Sequence, residues 1–211
     1  MRIRVYFSKT EAMRFTSHLD LFRTLERMIR RAALPLVYSQ GYRPHPRINL
    51  ACALPLGITS ECEIVDIWLQ DELPIGAVQD SLTTASPPGI TIDRVEQIAL
   101  DLPALQSTVQ AAEYLITLLD DVPDLAHEIE LILESTLLPR IRHGKKYDLR
   151  PLILGIVPEP DDAPPSQRLR VKLTSKEGAT GRPDELILAL GQNPHEARIH
   201  RTQLVLNKDS Q

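Results

Sequence analysis

Two histidines and an aspartate near the start of the chain are the residues best suited to chemistry. His18 and Asp20 lie in the segment Thr16-Ser17-His18-Leu19-Asp20. The spacing of Ser17 and Asp20 predicts a capping box with Ser17 as the N-cap of a helix. His18 then lies in the first turn, where the helix dipole favours a neutral imidazole that can both donate and accept a proton. A histidine that only helps to close the helix terminus is the structural alternative.

His45 is held between Pro44 and Pro46, which restrict the backbone to extended conformations. Rigid presentation of one imidazole suits a site, although a plain extended entry to a strand explains the same pattern. We expect the two histidine rings to share one pocket with Ser17, Arg43 and either Tyr38 or Tyr42. Two imidazoles, a hydroxyl and a guanidinium would bind a phosphate or a ribose. In a catalytic interpretation His18 and His45 are general base and acid, and Asp20 is the nucleophile.

Arginines form a second candidate group. On the predicted helix Arg23, Arg27, Arg30 and Arg31 recur at intervals of four, three and one, and Arg14, Arg43 and Arg47 lie just outside it. Residues 1–50 carry ten Lys or Arg against three Asp or Glu, a charge of +7, whereas residues 51–136 carry one against sixteen. Because the formal total is only −4, this asymmetry is the better indication of an anionic partner. The alternative is a solvated helix face.

The second half has its own basic segment, which contains Arg140, Arg142, His143, Lys145 and Lys146 and runs into Arg150. Gly144 predicts an exposed hairpin that could hold phosphates without recognising sequence, and a solvated loop is the alternative. Only 4% of the residues are aromatic, which favours recognition of backbone and shape over base stacking. The candidate RNA-binding residues are Arg14, Ser17, Arg23, Arg27, Arg30, Arg31, Tyr38, Tyr42, Arg43, Arg47, Arg142, Lys145, Lys146 and Arg150.

Hydrophobic periodicity predicts the elements that position these residues. The helix should span residues 18–34, with its core stripe formed by Leu19, Phe22, Leu25, Met28, Ile29 and Ala32. The first half is predicted to run through strand 2–7, helix 18–34, strands 46–54 and 61–69, helix 74–84 and strand 90–98. After a linker at 101–108, the second half is predicted as strand 109–119, helix 124–136, strands 149–157 and 169–174, helix 183–190 and strand 198–206. This order predicts an α+β protein of two tandem ferredoxin-like βαββαβ units, residues 1–100 and 109–211.

Composition narrows the class of protein. A chain of 211 residues with 43% hydrophobic residues suits one large or two small domains. The alternating start of the sequence is not a signal peptide, and no apolar run is long enough to span a bilayer, so we expect a cytoplasmic protein without membrane contact. Cys52 and Cys62 have the spacing of neither a disulfide framework nor a zinc site. We therefore expect no metal and no cofactor.

Several motifs resemble those of one family. With x for an unspecified residue, they are Phe7-Ser8-Lys9, Arg14-Phe15-x-Ser17-His18-Leu19-Asp20, Arg30-Arg31-Ala32-x-Leu34-Pro35, Tyr38-Ser39-x-Gly41-Tyr42-x-Pro44-His45-Pro46, Ala53-Leu54-Pro55-Leu56-Gly57 and Tyr147-Asp148-Leu149-Arg150-Pro151-Leu152-Ile153. The family is the uncharacterised bacterial radical-SAM-linked, or radical-SAM-associated, proteins. The resemblance implies a radical-SAM protein as partner and a genomic neighbourhood of ribosomal and RNA-processing genes, with no assigned activity. This chain lacks a three-cysteine motif and cannot itself ligate a radical-SAM cluster.

Three functions follow from these observations. The first is a non-catalytic RNA-binding accessory domain that presents a structured RNA, such as tRNA or rRNA, to a radical-SAM enzyme. The second is a protein-interaction subunit of such an enzyme that does not contact RNA. The third is a metal-independent RNA-processing or RNA-modifying enzyme that uses His18, His45 and Asp20, an analogy at the level of fold alone.

Overall fold

The computed structural model describes residues 1–142, 144–160 and 167–207. The chain divides into two compact units. Unit 1 comprises Met1–Val109 together with the C-terminal residues from Leu206, and unit 2 comprises Gln110–Val205. His143 of the predicted basic segment and residues 161–166 of the predicted loop 158–166 lie outside the described residues.

Unit 1 alternates strands and helices. Its elements are β1 (Arg2–Lys9), α1 (His18–Arg31), β2 (Ile48–Leu50), β3 (Ile58–Trp68), α2 (Ile75–Ala85), β4 (Ile90–Ile98) and the short α3 (Leu105–Thr108). Strand β1 pairs antiparallel with β3 on one side and with β4 on the other, and β2 pairs antiparallel with β3. The first strand in sequence therefore lies between two later ones, which ties the start of the chain to residues nearly a hundred positions on.

The two faces of the unit 1 sheet differ in chemistry because side chains alternate along a strand. Ile3, Val5 and Phe7 of β1 are fully buried in the hydrophobic core, which α1 and α2 complete. The residues that α1 contributes to this core are Leu21, Leu25, Met28 and Ile29. Leu19, predicted to face the core, is instead 67% exposed, because the stripe is centred on Leu21 and Leu25 and Leu19 lies on another side of the helix.

The other face of β1 carries a buried ionic cluster. Arg2 and Arg4 alternate with the apolar residues, and both guanidinium groups bind Asp66 of β3, with N–O distances of 2.6 and 2.8 Å. Asp66 and both arginines are buried. Arg2 also donates hydrogen bonds to the carbonyl oxygens of Leu102 and Pro103, at 2.6 and 2.9 Å. The cluster thereby fastens the segment after β4 to this face of the sheet.

Unit 2 also contains both strands and helices. Its elements are β5 (Val109–Leu118), α4 (Leu125–Glu134), β6 (Pro139–Arg142), β7 (Lys145–Asp148), β8 (Ile153–Glu159), β9 (Gln167–Lys176), β10 (Ala179–Thr180), α5 (Pro183–Ala189) and β11 (Ala197–Leu206). Strand β9 pairs antiparallel with β5, β8 and β10, and β5 also neighbours β11. Strands β6 and β7 form a separate two-stranded hairpin.

The α+β class predicted from the sequence is confirmed, and several boundaries need correction. Helix α1 ends at Arg31 rather than at residue 34, because Ala33 takes a left-handed conformation (φ 54°) ahead of Pro35. Strand β2 has only three residues. Strand β8 begins at Ile153 because a 3-10 turn occupies Arg150–Leu152. No helix among the described residues combines the length and apolar character needed to cross a membrane.

The ionic cluster generates the first prediction. Replacing Asp66 with alanine should lower the free energy of unfolding by about 3–5 kcal/mol, because two buried guanidinium groups lose their counter-charge. Chemical denaturation monitored by circular dichroism measures the change. Asp71→Ala, at an exposed position, is the matched control and should stay within about 0.5 kcal/mol of the wild type. Equal stability of the two variants would contradict a structural role for the cluster.

Candidate nucleic-acid interface

A buried lysine organises the loops around the start of α1. The Lys9 side chain at the end of β1 is fully buried, and its Nζ donates hydrogen bonds to three backbone carbonyl oxygens. These belong to Arg14 (3.3 Å), Thr16 (3.1 Å) and Ile58 (3.1 Å). A buried ammonium must be solvated by such acceptors. Lys9 therefore joins the segment that precedes α1 to the start of β3.

Arg14 and Gly57 reinforce the same junction. The Gly57 backbone N–H donates to the Arg14 carbonyl at 3.0 Å, and Arg14 Nε donates back to the Gly57 carbonyl at 3.0 Å. Gly57 has a φ of 83°, a left-handed conformation that glycine adopts at no steric cost. Arg14 also pairs with Glu11 at 3.2 Å. Arg14, a candidate RNA-binding residue, is therefore used to position the loops.

The start of α1 has the predicted cap. Ser17 Oγ accepts a hydrogen bond from the Asp20 N–H at 3.2 Å and donates to Asp20 Oδ2 at 2.7 Å. The other carboxylate oxygen of Asp20 pairs with Arg23 at 3.2 Å. Both oxygens of Asp20 thus take part in the helix start. These contacts give Asp20 a structural role at the start of the helix.

Helix α1 presents an exposed cationic row. Arg23, Arg27 and Arg30 are all exposed, and they follow one another at intervals of four and three residues along one side of the helix. In the part of the chain that the structure describes, Arg27 and Arg30 make no ion pair. Arg31 leaves the row, because its Nε donates to the Ala85 carbonyl at the end of α2, at 3.0 Å. The exposed row is therefore Arg23, Arg27 and Arg30.

Residues 37–47 form a projecting loop whose base is closed by backbone hydrogen bonds. The Arg47 N–H donates to the Val37 carbonyl, and the Ser39 N–H donates to the His45 carbonyl, each at 2.8 Å. Ser39 Oγ also accepts from the His45 N–H at 3.0 Å. Between these closures the loop exposes Tyr42, Arg43 and His45, and the Tyr42 ring is fully solvated. Tyr38, near the base, is 40% exposed.

His18 lies in a cavity of unit 1 that does not include His45. The cavity has a volume of about 300 Å³. His18 and Phe22 of α1 contribute to its lining together with Ile48, Asn49, Leu50 and Gln106. The pocket predicted from the sequence is therefore corrected: backbone pairing of the projecting loop leaves His45 exposed, and the cavity lining also lacks Ser17, Arg43, Tyr38 and Tyr42.

A stack of side chains forms a second feature of unit 1 that the sequence analysis missed. The Trp68 ring at the end of β3 has two guanidinium groups over it, with Arg2 at 4.7 Å and Arg47 at 4.4 Å from the ring centroid. Arg2 is buried, whereas Arg47 is exposed. The stack borders a cavity of about 250 Å³. Trp68 is the one tryptophan in the sequence. It lies two residues after Asp66 in a predicted strand, and this spacing, which places both side chains on one face, was the available sequence signal for the stack.

The basic segment of unit 2 forms the expected hairpin, but its cations have different roles. Arg142 pairs with Asp184 at 3.4 Å and with Glu185 at 3.2 Å beside the start of α5. Arg150 donates to the Leu133 carbonyl at 2.7 Å. These two arginines are structural. Lys145 and Lys146 at the turn are exposed and remain the candidates for phosphate contact.

Burial raises the pKa of Tyr147 on the same hairpin, and the nearby charges of Glu185 and Asp184 raise it further. The phenol is therefore uncharged at neutral pH, and Tyr147 is suited to packing and hydrogen bonding rather than to proton transfer. Among the described residues, no three His, Cys, Asp or Glu side chains are grouped as a metal site requires.

The fold and the site define a mixed α+β protein with an exposed arginine row and two cavities on its N-terminal unit. The chain belongs to a family described as uncharacterised proteins conserved in bacteria (DUF2344), whose sequence profile matches residues 2–183. No protein in the curated collection of characterised sequences matches it. The family membership thus supplies no activity.

Solved structures are similar in fold at low sequence identity. A chain in the crystal structure of a Cbf5-Nop10-Gar1 complex aligns with a TM-score of 0.52 at 12% identity, covering 96% of this chain and 48% of that one. A chain in the archaeal box H/ACA sRNP Nop10-Cbf5 complex aligns with a TM-score of 0.46 at 14% identity, covering 96% and 47%. This chain therefore spans about half the length of each. The first similarity shows a related fold.

The lysine junction generates the second prediction. Lys9→Met should lower the free energy of unfolding by about 1–3 kcal/mol, because buried carbonyl oxygens lose their donor. The loss should be accompanied by faster amide exchange at residues 14–18, which Lys9 ties to β3. Hydrogen exchange with mass spectrometry measures both effects. Lys176→Met, an identical change at an exposed site, should alter neither; an unchanged exchange rate in Lys9→Met would rule out the positioning role.

Proposed function

We propose that this protein is a non-catalytic RNA-binding accessory domain that presents a structured RNA, such as tRNA or rRNA, to a radical-SAM enzyme. The observation that carries the proposal is the exposed row of Arg23, Arg27 and Arg30 on α1. Three guanidinium groups at helical spacing match a phosphate backbone, because each can donate two hydrogen bonds to a phosphate. Such contacts supply affinity without recognising base sequence.

The projecting loop supports RNA over a small anion as the ligand. Tyr42, Arg43 and His45 are all exposed on this loop, and they combine a stacking surface with a cation and a hydrogen-bonding ring. Proteins that bind unpaired nucleotides commonly combine aromatic stacking with basic side chains. In unit 2, exposed Lys145 and Lys146 would provide further phosphate contacts. We interpret each unit as a variant of the ferredoxin-like fold. Its rigid sheet would support the loop and the hairpin that carry these side chains.

The geometry favours binding over catalysis. Asp20 is held by Ser17 and Arg23 at the start of α1, and His45 does not contribute to the cavity that contains His18. A general acid and base acting on one substrate must reach the same reacting atoms. The absence of His45 and Asp20 from the lining of the His18 cavity supports binding over the catalytic alternative. A single-turnover assay of the isolated protein with tRNA and rRNA fragments should show binding without cleavage or isomerisation.

A docking surface for the partner enzyme is supported by a separate observation. Phe15, Leu19 and Leu56 are 76%, 67% and 60% exposed, although each is a large apolar side chain. Phe15 follows Arg14 and Leu56 precedes Gly57, the two residues joined by reciprocal hydrogen bonds, so these side chains flank one junction. Exposed apolar residues held on a rigid element are typical of protein contacts. That the partner is a radical-SAM protein rests on the motif resemblance alone.

The arginine row provides the test of RNA binding. Changing Arg23, Arg27 and Arg30 to glutamate should lower affinity for tRNA or an rRNA fragment by at least about tenfold. It should also reduce the slope of log affinity against log salt by about one unit for each lost phosphate contact. Fluorescence anisotropy over a salt series measures both, and circular dichroism verifies that the exposed substitutions leave the fold intact.

The control is a pair of substitutions in unit 2 with the same change in net charge as a pair of substitutions in the arginine row. Arg27→Glu with Arg30→Glu should weaken binding, whereas Lys176→Glu with Arg198→Glu, at exposed positions of unit 2, should have a much smaller effect. If both double variants bind equally, affinity follows net charge and not the row. Undiminished RNA binding by the triple variant would contradict the assignment of the row. Failure of the wild type to bind RNA would favour the protein-interaction subunit, for which Phe15→Ser with Leu56→Ser should abolish capture of the purified radical-SAM partner.

A further inference from the structure

Strand β2 is an edge strand with a cavity on either side of it. It pairs with β3 alone among the described strands. The Arg47 carbonyl accepts from the Trp68 N–H at 3.1 Å, and the Ala51 N–H donates to the Ile64 carbonyl at 3.0 Å. Because backbone groups alternate in direction along an antiparallel strand, those of Ile48 and Leu50 point to the outer edge. Both residues contribute to the lining of the His18 cavity.

Asn49 connects the two cavities, since it contributes to the lining of both. Its Nδ2 donates to Gln106 Oε1 at 2.5 Å, which fixes the orientation of the amide. Its Oδ1 is buried and accepts no hydrogen bond from any described group of the protein. A buried carbonyl oxygen without a donor costs stability, so rotation of the Asn49 side chain towards a ligand N–H would gain a hydrogen bond that the free protein lacks. A side-chain rotation of this kind on binding is common at interfaces.

The His18 cavity has the chemistry of a site for a nucleobase. Phe22, Ile48 and Leu50 provide apolar surface, and His18, Asn49 and Gln106 provide polar groups. Its volume of about 300 Å³ accommodates a flat heterocycle. A base extruded from a structured RNA is recognised by stacking and by hydrogen bonds to its Watson–Crick edge. Every unmodified base carries an N–H on that edge that could donate to Asn49 Oδ1.

The second cavity has the chemistry of a phosphate or sugar site. Arg47 is exposed there, and its stacking on Trp68 holds the guanidinium plane in a fixed orientation. A stacked arginine still has its N–H edge available for phosphate oxygens. Ile48 and Asn49 separate this cation from the base cavity, so one nucleotide could lie across the edge of β2.

We propose that unit 1 binds a single extruded nucleotide across β2, with its base in the His18 cavity against Asn49 and its 5′-phosphate against Arg47. This inference deepens the proposed function and rests on it, because it names the part of the RNA that the domain would hold. The arginine row would bind the surrounding backbone, whereas the cavity would select an unpaired position.

The test uses free nucleotides, which need no arginine row. Isothermal titration calorimetry of the full chain with AMP, GMP, CMP and UMP should show binding of at least one at a Kd of about 1 mM or tighter. The corresponding nucleoside should bind more weakly, and inorganic phosphate should show no binding. Asn49→Leu should weaken the nucleotide about tenfold through loss of the acceptor. Arg47→Gln should weaken the nucleotide but leave the nucleoside unchanged.

Melting temperatures distinguish a binding role of Asn49 from a structural one. Asn49→Leu should have a melting temperature equal to or above that of the wild type, because a buried unpaired oxygen is removed, and nucleotide should no longer raise it. Gln70→Leu, at an exposed position, should leave both properties unchanged. A lowered melting temperature of Asn49→Leu, or unchanged nucleotide affinity, would overturn the inference.

Failure of this inference can be distinguished from failure of the proposed function. The Arg23, Arg27 and Arg30 triple variant should keep its affinity for the nucleotide while losing RNA. If the wild type binds RNA through the row but none of the four nucleotides, the cavity assignment is wrong and the RNA-binding function stands. If it binds nucleotides but no RNA, the nucleotide site stands without an RNA-binding surface.

Discussion

The ammonium group of Lys9 holds together parts of the chain that are far apart in sequence. It ends β1, yet its three carbonyl acceptors lie in the loop before α1 and at the start of β3. A charge at this depth requires close polar partners, so separation of the loops would take away the carbonyl acceptors that stabilise it. The cap of α1 and the Gly57 turn are therefore parts of one rigid junction. The arginine row, the His18 cavity and the exposed Phe15 all depend on helix α1 starting where this junction places it.

The sheet of unit 1 allows a site beside a stable core because its two faces are stabilised differently. The apolar face packs against α1 and α2, whereas the opposite face contains the ion pairs of Asp66 with Arg2 and Arg4. Arg2 extends this network to Trp68, and Trp68 in turn orients the exposed Arg47. The exposed Arg47 is thus oriented by a ring that also contacts Arg2 of the buried ion pairs. Asn49 Oδ1, by contrast, accepts no hydrogen bond from any described group of the protein, and an unpaired buried polar atom of this kind costs stability.

Sequence patterns predicted the bounds of helices and strands well where hydrophobic periodicity or a helix cap marks them. Alternation along β4 gave its bounds, and the Ser17 and Asp20 pair gave the start of α1. Charge patterns were less informative because a sequence shows a cation but not its partner. Arg31 and Arg150 donate to backbone carbonyls, and no local signal distinguishes them from the exposed Arg27. The sequence likewise did not indicate that the His45 backbone pairs with Ser39, and the His45 ring is not part of the lining of the His18 cavity.

Only some of the cations in the sequence are available to a ligand. Arg14, Arg31, Arg142 and Arg150 have structural partners, so the sequence charge overstates what a ligand could contact. Several of the cations that remain exposed are grouped by fold: Arg23, Arg27 and Arg30 on one helix, Arg43 and Arg47 on the neighbouring loop, and Lys145 and Lys146 at the start of β7. Other exposed cations, among them Arg94, Lys176 and Arg198, lie outside these groups. A solvated face needs no such grouping. A planar guanidinium is also less strongly hydrated than an ammonium, so a solvated position favours arginine less than lysine. In the N-terminal 136 residues the one lysine is Lys9, and it is buried. Among lysine and arginine side chains, exposed positive charge in these residues is thus carried by arginine, whose planar guanidinium group can form paired hydrogen bonds that an ammonium group cannot.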